Sequence, residues 1–251
     1  MPNKKQTKTE LVGFDDFKRM AVDPKLSRYE KIGFPDSYRA GKEDRIFADI
    51  LSKLGNLSLS QKRVLDIGPG CSGLPKLIID LCGEHNHELL LVDSSEMLSL
   101  LPDADFIKKI AARYPDCPSL FEAFSGKIDV LICYSVLHYI FVEIGFYGFL
   151  DLSLSLLAPG GQMLIGDIPN ISKRHRFFSS ETGIRFHQAF MKTDDLPQVT
   201  FNEINFDQID DAVIMSIVQR SRSQGFDAYV VPQPDDLPMA NRREDIVIVR
   251  P

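Results

Sequence analysis

Gly68, Gly70 and Gly73 form the pattern G-x-G-x-x-G, with Pro69 between the first two, inside the run Val64-Leu65-Asp66-Ile67-Gly68-Pro69-Gly70-Cys71-Ser72-Gly73. Glycines at this spacing let the backbone turn tightly and approach a ligand with no Cβ in the way. Twenty residues beyond Gly73, a second apolar run, Leu89 to Val92, ends in Asp93 and Ser94. A carboxylate at such a strand end accepts two hydrogen bonds from a ribose diol. Asp66, two residues ahead of Gly68, narrows the ligand further. A pyrophosphate seeks helix N–H groups and is repelled by a nearby carboxylate, whereas a cationic group is attracted by it. The implied chemistry is the binding of a nucleoside cofactor that carries positive charge near the glycines.

A second set of residues suits proton transfer and anion binding. His138 follows an apolar run with Tyr134, Ser135 and Tyr139 around it; an imidazole titrates near pH ~6.5 when unperturbed, which makes His138 the first candidate for a general base. His187 is the second. Lys173, Arg174 and Arg176 are a basic cluster in an acidic chain, with Asp167 and Asn170 just ahead of it. Guanidinium groups hold carboxylates and phosphates in bidentate fashion, so this stretch, with Arg185 near His187, is expected to form the wall of an anionic acceptor. Tyr29, Tyr38 and Arg39 lie upstream in a polar and aromatic stretch. No metal site is expected. His85 and His87 flank Asn86 in a polar loop that reads as solvated, and Cys71, Cys82, Cys117 and Cys133 include no C-x-x-C pair.

Positioning these side chains takes alternating strands and helices. Short apolar runs at Arg63–Ile67, Glu88–Asp93, residues 106–110, Ile128–Tyr134 and residues 162–168 predict five parallel strands, with a helix over residues 74–81 after the glycines. The near-continuous apolar stretches Leu89 to Val92 and Val130 to Cys133 fit strands covered on both faces. Upstream, Ile46, Phe47, Ile50, Leu51 and Leu54 recur at helical spacing, predicting a helix over residues 36–54 that stops at Gly55. Residues 169–206 read as a long polar and aromatic insert, residues 207–224 as a helix, and residues 228–231 and 245–249 as two last strands.

The whole chain, 251 residues with 44% hydrophobic and 25% charged, has the proportions of an ordinary globular protein. Its 29 basic and 35 acidic residues leave a net charge of -6, which argues against nucleic acid as the partner. The polar start, residues 1–10, reads as a solvated tail rather than a signal peptide, and the most apolar stretch, residues 129–157, is interrupted by Ser135, His138, Glu143 and Asp151. A cytoplasmic protein with reduced thiols and no membrane span is expected, as a monomer or homodimer.

S-adenosylmethionine is a nucleoside with an ammonium, a sulfonium and no phosphate, and the motifs VLDIGPGCSG (64–73), LLLVDSSEML (89–98), IDVLICYSVLHYI (128–140) and LLAPGGQMLIGDIPN (156–170) resemble those of class I S-adenosylmethionine-dependent methyltransferases. The resemblance runs from about residue 36 to the C-terminus. It implies an α/β, Rossmann-like seven-stranded sheet, mostly parallel with a C-terminal antiparallel strand, helices on both faces and an N-terminal helical lid over residues 1–60. It also implies cofactor-binding roles for Asp66, Gly68, Pro69, Gly70, Gly73, Asp93 and Ser94, with Met97, Ala112 and Arg113 around the adenine and Tyr134 and Ser135 at the fourth strand end. Tyr38, Arg39, Tyr139, Asp167, Asn170, Lys173, Arg174 and Arg176 are left for the acceptor. The resemblance excludes some chemistries. Where base-amine methylating members carry an Asn/Asp-Pro-Pro tetrad, this chain has CYSV (133–136); the Pro-Cys nucleophile of cytosine-C5 enzymes is absent, and Cys133-Tyr134-Ser135 supplies no magnesium ligand of the catechol type. The expected activity is methyl transfer to oxygen or nitrogen of a small anionic metabolite, such as a sugar precursor of a bacterial surface glycan. A silent S-adenosylmethionine-binding scaffold or sensor, or an NAD-dependent oxidoreductase, are the alternatives.

Overall fold

Apolar residues on both sides of a strand require cover on both faces, and the five predicted runs obtain it in a doubly wound sheet. The computed structural model describes residues 12–201 and 207–251; the tail expected at residues 1–10 and the end of the insert at residues 202–206 lie outside the described residues. The elements are α1 (Phe14–Val22), α2 (Asp36–Arg39), α3 (Glu43–Lys53), β1 (Arg63–Ile67), α4 (Gly73–Glu84), β2 (Glu88–Asp93), α5 (Ser95–Leu98), β3 (Ile107–Ala111), α6 (Pro118–Phe124), β4 (Ile128–Tyr134), α7 (Leu137–Glu143), α8 (Phe146–Leu156), β5 (Leu157–Pro169), α9 (Ile171–Phe178), α10 (Glu181–Met191), α11 (Asp211–Ser223), β6 (Asp227–Val231) and β7 (Arg243–Val249). The strand order is β3-β2-β1-β4-β5-β7-β6. The first five strands run parallel, and β7 is antiparallel to both β5 and β6.

Side-chain alternation sorts the strands onto two cores. Leu65 and Ile67 of β1 face Leu137, Phe149, Leu154 and Ile217 from α7, α8 and α11. Val64 of the same strand joins Ile46, Ile50 and Ile78 from α3 and α4 on the other face. Among the described residues no helix is long and apolar enough to cross a membrane.

Four local features differ from the sequence reading. The helix expected over residues 36–54 is two helices, because Gly41 at φ +72° turns the chain between α2 and α3. Its end is Leu54, and Gly55 opens a short 3-10 turn instead. The polar insert contains α9 and α10. Asn170 and Ser180 cap their first turns by accepting from Lys173 N and Gly183 N, and Phe177, Phe178, Phe186 and Phe190 pack ring against ring between them. His87 is buried at 1% exposure rather than solvated: Nδ1 accepts from Lys62 N at 2.9 Å, so Nε2–H donates to Leu57 O at 3.1 Å.

Behind the strand ends lies a buried ionic cluster. Lys53 Nζ donates to Asp49 Oδ2 at 2.5 Å and to Asp245 Oδ2 at 2.8 Å. The other Asp245 oxygen accepts from Gln233 Nε2 at 2.8 Å and from Asp167 N at 2.7 Å. With 0% exposure, Asp245 therefore ties α3, β5 and β7 together where water does not compete. Replacing Asp245 by Ala strands its donors and is expected to lower unfolding free energy by about 3 kcal/mol in urea titrations. Arg45→Ala, which breaks the exposed pair with Asp236, should cost less than about 1 kcal/mol.

Candidate active site

The strand order reverses between β1 and β4, leaving a crevice at their carboxyl ends where open α/β sheets take their ligands. A cavity occupies that place. Gly68 and Gly70 form its floor at φ +66° and +68°; a Cβ on Gly68 would lie 2.8 Å from Val136 Cγ2, and one on Gly70 2.7 Å from Ile32 Cγ2. Both glycines are thus required by backbone sign and by space. Pro69, Met97, Ala112, Arg113, Tyr134 and Ser135 contribute to the walls as expected. The roof comes from the N-terminal segment, with Phe14 and Phe17 of α1, then Phe34 and Arg39.

Glu43 is a site residue that the sequence reading missed. Its Oε1 accepts from Gly73 N at 2.6 Å and Leu74 N at 3.1 Å, and its Oε2 accepts from Tyr29 Oη at 3.1 Å and Arg28 at 3.4 Å. The free N–H groups at the start of α4, which in dinucleotide folds cradle a pyrophosphate, are already capped by a carboxylate from α3. Gly73 serves that contact and does not line the cavity. Tyr29 is likewise held at Glu43.

Two more carboxylates set the electrostatics. Asp93 accepts from Gly70 N at 3.3 Å and Ser94 N at 2.7 Å, and burial pushes it up to about 6 against the pull of those two donors. Asp66, 3% exposed just behind Gly68, is pushed up to about 7 by burial and then by the charge of Asp93; no hydrogen-bond donor among the described residues eases it. A carboxylate in this condition gains most from a cation. Across the cavity, Arg39 is 5% exposed and stacks 4.1 Å above the Phe34 ring. Its Nη2 donates to Ser135 Oγ at 2.5 Å and to Asp167 Oδ2 at 2.8 Å, while its buried Nε has no partner among the described residues. Arg113 donates to Glu143 at 2.8 Å, and Glu143 also accepts from Phe14 N at 3.2 Å, joining the third strand end to the start of α1.

A second cavity adjoins the first and shares Tyr139 and Glu143 with it; His138, Asn170, Arg174, Arg242 and Arg243 contribute to its wall. His138 is pushed down to about 3, by burial first and by Arg243 next, and its Nδ1 has no partner among the described residues. The expectation of an imidazole titrating in the physiological range is corrected: His138 is neutral there, and only a weak proton acceptor.

The remaining sequence candidates scatter. Ser94 caps α5, accepting from Met97 N at 3.1 Å, and stays outside the cavity. His187 lies on α10 with its ring 6.2 Å from that of Phe178 and lines neither cavity, because the helix carries it onto the aromatic layer of the insert. Of the basic cluster only Arg174 faces a cavity: Lys173 Nζ donates to Arg243 O at 2.7 Å, and Arg176 pairs with Asp211. Helical spacing puts Lys173 and Arg176 on one side of α9 and Arg174 on another. Arg185 is exposed beside Glu181, and Tyr38 sits near Arg242 without lining a cavity. Asn170 reaches the second cavity, but its amide is engaged by Asp211 and Glu244, both at 2.7 Å. Asp167, at φ +56°, is held between Arg39 and Arg243. Glu43, Glu143, Arg242 and Arg243 had no signal beyond being ordinary charges at element ends.

The sign of the Asp66 shift gives a test on the ligand-free protein. An acid raised from 3.8 to about 7 by folding contributes stability that is full at low pH and is lost as pH rises through the folded value. Asp66→Asn should therefore unfold at a higher temperature than the parent at about pH 8, with the gap closing towards about pH 5; thermal scans showing no pH-dependent gap would contradict the unpartnered state of Asp66.

No protein-family model matches the chain, and neither does any curated protein. Solved structures do match. The plantazolicin methyltransferase BpumL, in complex with a triazolic desmethylPZN analog and SAH, aligns at TM-score 0.56 and 12% identity over 94% of this chain and 99% of its own. The CurJ carbon methyltransferase aligns at 0.54 and 16% over 94% of this chain, which spans 64% of that one. The N-methyltransferase NodS from Bradyrhizobium japonicum WM9, in complex with S-adenosyl-l-homocysteine, aligns at 0.52 and 12% over 96% and 98%. One of these proteins is a carbon methyltransferase and another an N-methyltransferase, so the likeness is one of architecture. The chain has the seven-stranded fold of the class I S-adenosylmethionine-dependent methyltransferases.

Proposed function

We propose that this protein is an S-adenosylmethionine-dependent methyltransferase acting on oxygen or nitrogen of a small anionic metabolite. The observation that carries the reading is the division of charge around the first cavity: the start of α4 is closed to phosphate by Glu43, Asp93 lines the wall, and Asp66, which does not line it, stands buried behind Gly68 without a donor among the described residues. That combination disfavours a dinucleotide and suits an amino-acid zwitterion. In this reading Asp66 neutralises an ammonium from behind Gly68, and the Nε of Arg39, without a partner among the described residues, donates to a carboxylate. Asp93 is available to ribose hydroxyls, and Met97 and Ala112 offer apolar contact to a base. Bound S-adenosylmethionine supplies an electrophilic methyl carbon on a sulfonium.

The protein's own contribution is then positioning and exclusion of water. Phe14, Phe17 and Phe34 roof the first cavity, and Tyr139, edge-on to Phe17 with ring centroids 4.9 Å apart, stands between the two cavities. An acceptor entering from the second cavity would pass Tyr139 and His138. Proton removal from the acceptor would fall to water, with neutral His138 a weak acceptor beside it. Arg174 and Arg242 on the far wall support an anionic acceptor.

Calorimetry is the direct test: S-adenosylhomocysteine should bind and NADH should not, and the opposite result would overturn the proposal. Asp93→Ala should weaken S-adenosylhomocysteine by about 1 to 3 kcal/mol through lost hydrogen bonds to a charged group. Because Asp66 must be ionised to hold an ammonium, affinity should rise from about pH 6 to about pH 8, and Asp66→Asn should both weaken binding and flatten that dependence.

A further inference from the structure

Two guanidinium groups in the second cavity have no carboxylate partner among the described residues. Arg174, from α9, lies with its Cζ 5.4 Å from the centre of the Phe178 ring, and Arg242, from the turn before β7, lies with its Cζ 5.9 Å from the same ring. Their neighbours are paired: Arg39 and Arg243 share Asp167, Arg176 holds Asp211, and Arg113 holds Glu143. Arg242 donates to Asn241 Oδ1 at 3.2 Å, and Tyr38 is its second side-chain partner. Its pKa is depressed by burial, and the charges of Arg243 and Arg174 push in the same direction. Arg174 is exposed and Arg242 half-buried, so the two like charges repel across one open space and an anion between them is attracted by both.

We infer that Arg174 and Arg242, backed by Phe178, form a clamp for a phosphate monoester, and that this phosphate anchors the methyl acceptor. The inference rests on the methyltransferase reading only for what the anchored molecule does next; the clamp itself stands on the charges of the second cavity. A dianion matches two guanidinium groups in charge, and each fork can give two parallel hydrogen bonds to phosphate oxygens. The carboxylates lining this cavity among the described residues are Asp207, which is exposed, and Glu143, which is paired with Arg113. The anchored end would sit by α9 and β7, leaving the reacting end to point towards Tyr139 and the first cavity.

The test titrates inorganic phosphate, glucose 1-phosphate and glucuronate into the full chain, with and without saturating S-adenosylhomocysteine, at pH ~8.5, where both phosphates are mainly dianions. Both phosphates should bind, glucuronate should not, and the Arg174→Gln/Arg242→Gln double variant should lose about tenfold or more in phosphate affinity. Arg185→Gln, an exposed control on α10, should bind phosphate as the parent does. S-adenosylhomocysteine affinity should stay within about twofold in the double variant, which also shows that it is folded. Phosphate affinity equal in parent and double variant overturns the clamp, as does glucuronate binding in place of the phosphates. Failure of S-adenosylhomocysteine alone, with arginine-dependent phosphate binding intact, overturns the methyltransferase reading and leaves the clamp standing.

Discussion

The carboxylate of Asp167 is the interaction on which the rest of the site depends. It is 3% exposed at the end of β5, lies between Arg39 and Arg243, and accepts from Ser135 Oγ at 2.5 Å. Its own N–H is fixed by Asp245. Through these contacts one residue joins the N-terminal roof, the end of β4, β5 and β7. A buried carboxylate with two arginines is stable only when all three remain in place, since removing any one leaves an uncompensated charge in a poorly solvated setting. The roof is therefore coupled electrostatically to the sheet, in addition to its apolar contacts.

That hub also separates two cavities of opposite character. On the glycine side, Asp66 and Asp93 are raised by burial and await positive or hydrogen-donating groups. On the insert side, Arg174 and Arg242 await negative ones. His138 lies at the junction and is kept neutral by burial beside Arg243. A molecule spanning the junction would meet an acidic site at one end and a basic site at the other, with Tyr139 between them. The net acidity of the chain conceals this local division, because Coulombic effects act over a few ångströms and not over the average composition.

The architecture was largely legible in the sequence because it depends on local pattern. Strands β1, β2 and β4 fall where the apolar runs place them, and the left-handed turns of Gly68 and Gly70 follow from the G-x-G-x-x-G spacing. Asp66 and Asp93 were equally visible, as carboxylates next to that motif. The insert was less so: α9 and α10 depend on caps at Asn170 and Ser180 and on aromatic packing between the two helices, which no single segment advertises.

The sequence by itself determined the sheet, the glycine turn and the two carboxylates beside it, because each follows from residues near one another in the chain. Only the tertiary structure decided which charges remain free. Glu43 reads as an ordinary acidic residue at a helix start until folding sets it on the first turn of α4, some thirty residues away. Lys173 and Arg176 read as partners of Arg174 until helix geometry turns them to Arg243 O and Asp211. Arg242, distant in sequence, takes their place beside Phe178. Ion pairing depends on distance and burial after folding, and neither is carried by composition or spacing along the chain.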